Sequence, residues 1–268
     1  MAAILCPRCH KIVSSEAETC PHCGQRKPGL WGATATMRKL GLQLNFPHLI
    51  TVFCGVLYLL ALALDPSAIF QTQGLMQILA PSIQASFKLG VTGTVPIFAY
   101  KFWWTPITAI YLHGGLLHIF FNMMWVRQLG PLVEELFGPF RLFVIFTVSG
   151  VVGFIFSVLS GSGFTLGASG SIFGLLAAAI VYGRRVGSSL FTRQFLQWAV
   201  ILFIFGLVFP GVDNWAHLGG FAGGYAVAFV LSRRAGREGL GSYLGAGICL
   251  LLTLSAFALQ LFAMLGLF

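Results

Sequence analysis

The sequence predicts an all-α fold, a polytopic membrane helical bundle, behind a small N-terminal cysteine module. Three observations carry this. Charged residues make up only 9% of the 268 residues, against about 25% in soluble domains. Hydrophobic residues reach 57%, with a mean hydropathy of +0.87, and several apolar stretches approach the roughly 20 residues that cross a bilayer. The basic residues, finally, fall almost entirely on one side of those stretches.

The chain opens on 6-CPRCHKIVSSEAETCPHCG-24. Each C-x2-C can form a tight knuckle presenting two thiolates, and two knuckles complete a tetrahedral zinc site. Cys6, Cys9, Cys20 and Cys23 are therefore the candidate metal ligands of a zinc-ribbon-like segment over 1–27. His10 and His22 are bystanders, because four thiolates already fill the shell. A redox pair or unliganded thiols is the alternative that cysteine spacing leaves open. The expected compartment is reducing, which disfavours disulfides. So small a module cannot bury a core and needs its metal to fold. No cleavable signal peptide is expected, since these residues are polar and cysteine-bearing where an apolar core would be required. Residues 28–45 read as a linker with juxtamembrane basic residues.

Membrane spans are expected near 47–64, 106–126, 141–160, 169–183, 195–209, 214–231 and 243–266. With seven spans, one side holds 1–46, 127–140, 184–194 and 232–242. Those segments and their borders carry Arg8, Lys11, Arg26, Lys27, Arg38, Lys39, Arg127, Arg141, Arg184, Arg185, Arg193, Arg233, Arg234 and Arg237, which is 14 of the 16 basic residues. Only Lys88 and Lys101 fall opposite. The positive-inside rule puts that side, and the N-terminus, in the cytoplasm and the C-terminus outside. The net charge of +9 is thus a topology signal and does not call for a nucleic-acid partner. Cys54 and Cys249 lie in spans and read as small apolar packing residues.

Polar residues inside a membrane are functional candidates, because each is costly unless paired. Three clusters qualify: 113-HGGLLHIFFN-122, Ser169 within 163-GFTLGASGSIFG-174, and 213-DNWAHLGGFAGGY-225. His118 and Asn122 share a helix face at i, i+4; taken alone, they would read as interhelical hydrogen-bond glue. Ser169, taken alone, would read as a helix N-cap, and a lone His217 as packing or capping. Gly220 and Gly224 follow His217 at i+3 and i+7, and Gly170 and Gly174 give the fourth span a matching small-residue edge. Two such edges let helices approach closely, which brings a serine and a histidine together at one depth. A serine–histidine pair is the arrangement of an activated nucleophile. Ser171 is turned about 200° from Ser169 and faces elsewhere. The context is helical and position 171 is not glycine, which excludes the hydrolase elbow G-x-S-x-G.

These residues resemble the rhomboid family of intramembrane serine proteases. The family's G-x-S-G reads Gly167-Ala168-Ser169-Gly170, its A-H-x-x-G-x-x-x-G reads Ala216, His217, Gly220 and Gly224, and its H-x-x-x-N reads His118 and Asn122. The segment 129-LGPLVEELFG-138, read as a loop, resembles the family's pattern with Glu134 as a structural glutamate. The resemblance implies a six-helix core over 46–235, with 236–268 as an additional C-terminal transmembrane helix. It also implies Ser169 as nucleophile, His217 as general base without an acidic third member, and His118, Asn122 and the Ser169 N–H as oxyanion donors. Asp213, four residues before His217, is not expected to complete a triad. Thr105 stands where the family commonly has arginine after tryptophan, so the outer loop 66–105 is expected to pack differently.

The predicted function is proteolysis of transmembrane-helix substrates near the extracytoplasmic face, with no catalytic cofactor and a structural Zn²⁺ in the ribbon. The expected setting is a bacterial inner membrane, with transmembrane substrates, the lipid bilayer and a cytoplasmic partner for the ribbon as the interacting classes. A catalytically silent rhomboid-like factor that binds membrane clients is the alternative, and loss of Ser169 or His217 would have marked it. A transporter would show charged residues at mid-membrane or broken helices in inverted repeats, and neither is evident.

Overall fold

Among the described residues, seven long helices come after a short β-hairpin in the chain. The computed structural model describes residues 3–6, 9, 11–14, 17–24, 45–70, 78–232 and 238–267. The linker 28–44, His10, and the basic residues Arg8, Arg26, Lys27, Arg38, Lys39, Arg233, Arg234 and Arg237 lie outside them. The chain divides into two units, Met1–Asn45 and Phe46–Phe268.

In the first unit, β1 (Ala3–Leu5) pairs antiparallel with β2 (Ile12–Ser14), Ile4 opposite Val13. The Cys6 N–H donates to the Lys11 carbonyl at 2.8 Å and closes the turn. Among its described residues, Cys6, Val13 and Cys20 are buried, with Cys9, Ala17 and Cys23 packed against them. A cluster made mostly of thiols is too small to hold a fold by apolar burial.

In the second unit, α1 spans Phe46–Leu64 and the seven-residue α2 spans Ile83–Leu89. The remaining helices are α3 (Leu116–Phe137), α4 (Pro139–Leu159), α5 (Ser169–Arg185), α6 (Ser189–Val208), α7 (Asn214–Ser232) and α8 (Leu240–Met264). Four of these, α1, α4, α6 and α8, are long and apolar enough to cross a membrane, or five spans if the bent pair Thr105–Tyr111 and Leu116–Phe137 is one. Of the others, α5 is the one enclosed by its neighbours, while α3 and α7 keep exposed apolar side chains such as Phe120 and Val230. On α5, 13 of 17 residues are buried, so its glycines, alanines and serines meet protein.

The span expected at 195–209 starts earlier, at Ser189, and two segments differ in kind from the sequence reading. The span expected at 106–126 is broken: Thr105–Tyr111 and α3 meet at 90°, with His113, Gly114 and Gly115 between them. Paired glycines weaken helix there, and the helix restarts at Leu116. The stretch 129–138, read as a loop, continues α3 to Phe137 through Pro131. An interior proline costs about 3 kcal/mol. Leu129, Val133 and Phe137, buried in the core on either side of it, hold the helix through it.

At the centre α4, α5 and α7 pack together. Their seam is lined by small residues: a Cβ on Gly153 would sit 2.6 Å from the Ala216 carbonyl oxygen, and one on Gly220 would strike the Gly170 carbonyl. Helix α8 packs on α4, on α2 and on Thr105–Thr108, burying Ser242, Ala246, Cys249, Thr253, Ala256 and Gln260 as one stripe. At its start, the Arg141 N–H donates to Glu238 Oε1 at 2.7 Å and Arg141 Nε–H to Ser242 Oγ at 3.1 Å. Cys54 and Cys249 are buried without a disulfide.

Candidate active site and metal centre

Ser169 is the first residue of α5, and its side chain caps nothing: the helix begins at Ala168 without a side-chain cap. The turn before it needs Gly167 twice. Its φ is +128°, and a Cβ there would lie 2.7 Å from His118 Nε2. The Gly167 N–H donates to the Ala109 carbonyl at 2.9 Å, which ties the serine-bearing turn to the bent segment before α3. Ser169 is half-buried. The first-turn N–H groups of α5, its own included, have no intrahelical partner.

Ser171 points elsewhere. It is fully buried, and its hydroxyl lies against Gly150 of α4 and has no hydrogen-bond partner.

His217 is buried near the start of α7, and its ring stacks on Phe173 with centroids 4.3 Å apart and planes at 18°. Phe173 lies i+4 from Ser169, on the same face of α5. The imidazole therefore sits against the serine's own helix face, one turn along. Among the described residues no hydrogen bond joins the two side chains. Asn214 sets the tautomer. Its Nδ2 donates to the Phe203 carbonyl at 3.3 Å, which aims its Oδ1 at His217 Nδ1, 3.0 Å away. An amide oxygen only accepts, so Nδ1 carries the proton and Nε2 keeps its lone pair, the form a general base requires.

The backbone between these groups is brought close by glycine. Gly170 faces the Ala216 carbonyl, with a built Cβ 3.2 Å away, while Gly220 meets Gly170 and Gly224 meets Gly174 backbone to backbone. Asp213 is occupied as a helix cap. One carboxylate oxygen accepts from the Ala216 N–H at 3.0 Å, and the other from the Ser157 hydroxyl.

His118 lies on α3 against Gly167. The Gly114 N–H donates to its Nδ1 at 3.3 Å, which leaves Nε2 as the N–H donor of the neutral ring, on the side of the serine turn. His113 stands edge-on to it at 5.2 Å. Asn122 is buried one turn on; its Nδ2 donates to the His118 carbonyl at 2.8 Å and has a second N–H to offer, while its Oδ1 has no partner.

Sequence reasoning missed Asn214 and Phe173. Both were discoverable, Asn214 at i−3 from His217 and Phe173 at i+4 from Ser169, had their helix faces been followed. It also missed the pairing of the outer loop with the serine turn. Thr92 and Thr165 form an antiparallel bridge, with Thr165 N–H donating to the Thr92 carbonyl at 2.7 Å, and the Thr94 N–H donates to the Ser162 carbonyl at 2.8 Å. Thr105 is fully buried; its hydroxyl donates to the Phe102 carbonyl at 2.8 Å and accepts from the Thr92 hydroxyl at 3.0 Å.

In the N-terminal unit, the sulfurs of Cys6, Cys9, Cys20 and Cys23 lie within 4.8 Å of one another, and the group could hold a metal ion. Cys6 and Cys23 are 3.6 Å apart and Cys9 and Cys20 3.7 Å. Tetrahedral zinc with Zn–S near 2.3 Å requires about 3.8 Å between sulfurs, and a disulfide about 2.0 Å. The spacing fits the metal. His22 is exposed, apart from the sulfurs.

A rhomboid-domain family model matches residues 100–234, the stretch that carries α3 to α7 with His118, Asn122, Ser169 and His217. RHOMBOID-like protein 1 of Arabidopsis thaliana is 32% identical over 167 residues, covering 60% of this chain and 43% of that protein. The Rhomboid protease GluP of Bacillus subtilis (strain 168) is 33% identical over 133 residues, covering 48% of this chain and 26% of its own. An Arabidopsis protein named Inactive RHOMBOID-like protein 8 is 33% identical over 123 residues, covering 44% and 35%. The chain thus spans about half or less of the length of these relatives. The match falls on the bundle whose glycine seam joins the serine and histidine helices, and the chain belongs to the rhomboid family.

Proposed function

We propose that this protein is an intramembrane serine protease with a Ser169–His217 dyad. The observation that carries the reading is the placement of His217: stacked on the serine's own helix face, with Nδ1 engaged by Asn214 and Nε2 free to accept a proton. In the reaction, Ser169 Oγ attacks a substrate peptide carbonyl as its proton passes to His217 Nε2. The oxyanion is received by the His118 Nε2–H, an Asn122 side-chain N–H and the Ser169 backbone N–H. The tetrahedral intermediate collapses as His217 gives the proton to the leaving amine, and water then hydrolyses the acyl-enzyme by the reverse proton path. Asp213 acts as a cap. The relative named inactive means that family membership alone does not carry activity, and here Ser169 and His217 are both present.

The substrates are transmembrane helices, cleaved at the end of the bundle where α5 and α7 begin. We read the distribution of basic residues as setting that end outside the cytoplasm, with the N-terminus cytoplasmic and the C-terminus outside, and take a bacterial inner membrane as the setting. Fluorophosphonate labelling of purified protein, alongside cleavage of a panel of transmembrane substrates, tests the reading. Ser169→Ala should lose labelling and lower cleavage by roughly 10⁴-fold or more, while Ser171→Ala keeps most of both. Labelling that survives Ser169→Ala and vanishes with Ser171→Ala would overturn the assignment.

The cysteine group holds one structural Zn²⁺ in a zinc-ribbon-like module over 1–27. Four thiolates leave no open position for water, so the metal takes no part in hydrolysis and the ribbon serves a cytoplasmic partner. Metal analysis should find about one zinc per chain, lost in Cys20→Ser/Cys23→Ser. A chain lacking residues 1–30 should still cleave a generic substrate, and an inactive but folded truncation would couple the two sites.

A further inference from the structure

Gln260 lies four residues from the end of α8, in one of the most apolar helices of the chain, and is 3% exposed. A primary amide buried among hydrocarbon is costly unless its donors and acceptor are used. All are used, and all on the outer loop. Nε2 donates to the Phe87 carbonyl at 2.9 Å and to the Lys88 carbonyl at 3.1 Å, while Oε1 accepts from Trp104 Nε1–H at 2.9 Å. Phe87 and Lys88 are in the last turn of α2, where the regular i→i+4 bonds run out; the Phe87 carbonyl also accepts from the Gly90 N–H at 3.1 Å. One side chain thus caps α2 and holds Trp104.

The loop that leaves α2 runs directly to the serine turn. Gly90 is left-handed, φ +97°, and its carbonyl accepts from Thr108 Oγ1 at 2.6 Å. The side chain of Gln260 packs beside it, with Cγ 3.2 Å from where a Gly90 Cβ would stand. Residues 92–95 then pair with 162–165 through the Thr92–Thr165 bridge, the Thr94 bond to Ser162 and a bond from the Val95 N–H to the Gly163 carbonyl at 3.3 Å. Gly167 follows two residues beyond Thr165, and Ser169 four. Hydrogen bonds joined by short stretches of chain lead from α8, through α2 and the outer loop, to the turn that aims the serine.

We propose that Gln260 is a positioning residue for Ser169, acting through the pairing of 92–95 with 162–165, so that α8 is a working part of the active-site scaffold. This also accounts for Thr105. With Trp104 held by Gln260, and Thr105 bonded to Thr92 and Phe102, the loop is anchored from α8.

The catalytic arm of the test rests on the protease reading, and the exchange arm does not. Hydrogen exchange is measured in full-length wild type and Gln260→Leu, with Trp104→Phe as a milder variant that removes one of the three bonds and keeps the ring. The amides of Thr92, Thr94, Val95, Thr165 and Gly167 should exchange roughly tenfold faster in Gln260→Leu, with α4 and the interior of α5 unchanged. Trp104→Phe should move the same amides less, and it decides the matter should Gln260→Leu fail to fold. In cleavage assays normalised to folded protein, kcat should fall several-fold while KM holds, since the serine is misaimed and the substrate surface is intact. Unchanged exchange at 162–167, or unchanged kcat in a variant whose loop has loosened, would overturn the proposal. A wild type that neither labels nor cleaves would sink the protease reading, and exchange alone would then decide the role of Gln260.

Discussion

The centre of the bundle and its rim are built by opposite rules. Helix α5 buries 13 of its 17 residues and does so with glycine, alanine and serine among larger groups, whereas α6 buries only Phe195, Ala199 and Gly206 of its 20. Leucines such as Leu59, Leu207 and Leu251 stand 65–68% exposed on α1, α6 and α8, where lipid meets them. Lipid tails are as apolar as leucine, so large side chains gain little by leaving them for protein. Close backbone approach is what binds helices here, and small residues permit it. The centre is therefore where α4, α5 and α7 touch along their backbones, and where backbone and side-chain polar groups can be held in fixed relation.

The sharpest way to break this contrast is at the polar centre itself. Replacing His118 and Asn122 together with leucine should lower turnover by about 10²–10³-fold, the loss expected for a dominant oxyanion donor, with binding less affected. Untouched turnover, in single-turnover measurements, would leave both as helix glue. Next comes the seam. Gly220→Val would drive a side chain into the Gly170 carbonyl and should cost about 1–3 kcal/mol or more, read as a lowered thermal midpoint in detergent. By contrast Leu251→Ala on the rim should stay within about 0.5 kcal/mol. Equal losses at the two positions would erase the distinction between centre and rim.

The smallest effect lies at the start of α8. Burial raises the Glu238 carboxyl above its usual 4.5, opposed by the Arg141 N–H and guanidinium. A carboxyl with a raised folded value binds more protons folded than unfolded, so its contribution to stability falls as pH climbs from about 4.5 through that raised value. Glu238→Gln should remove this component, giving a flatter stability curve over that window than wild type. Parallel curves would show that the carboxyl does not titrate with folding.

Much of this was legible in the linear chain because it depends on local spacing. Composition announces the membrane, since a chain with so few charges cannot keep its surface in water. The C-x2-C pairs announce a group that could hold a metal, because a two-residue gap sets the reach of two thiolates. Motifs at i, i+3 and i+4 announce which residues share a helix face, and so His118 with Asn122, and His217 with Gly220 and Gly224. What only the tertiary structure decided is long-range. The break at 113–115 and the run of α3 through Pro131 depend on which burial is available to offset a weak helix position. Asn214 acquires its role because the Phe203 carbonyl on a neighbouring helix orients its amide. Gln260 meets Phe87 and Trp104 across more than 150 residues of chain, and no periodicity in one helix encodes the partner that a buried amide finds on another.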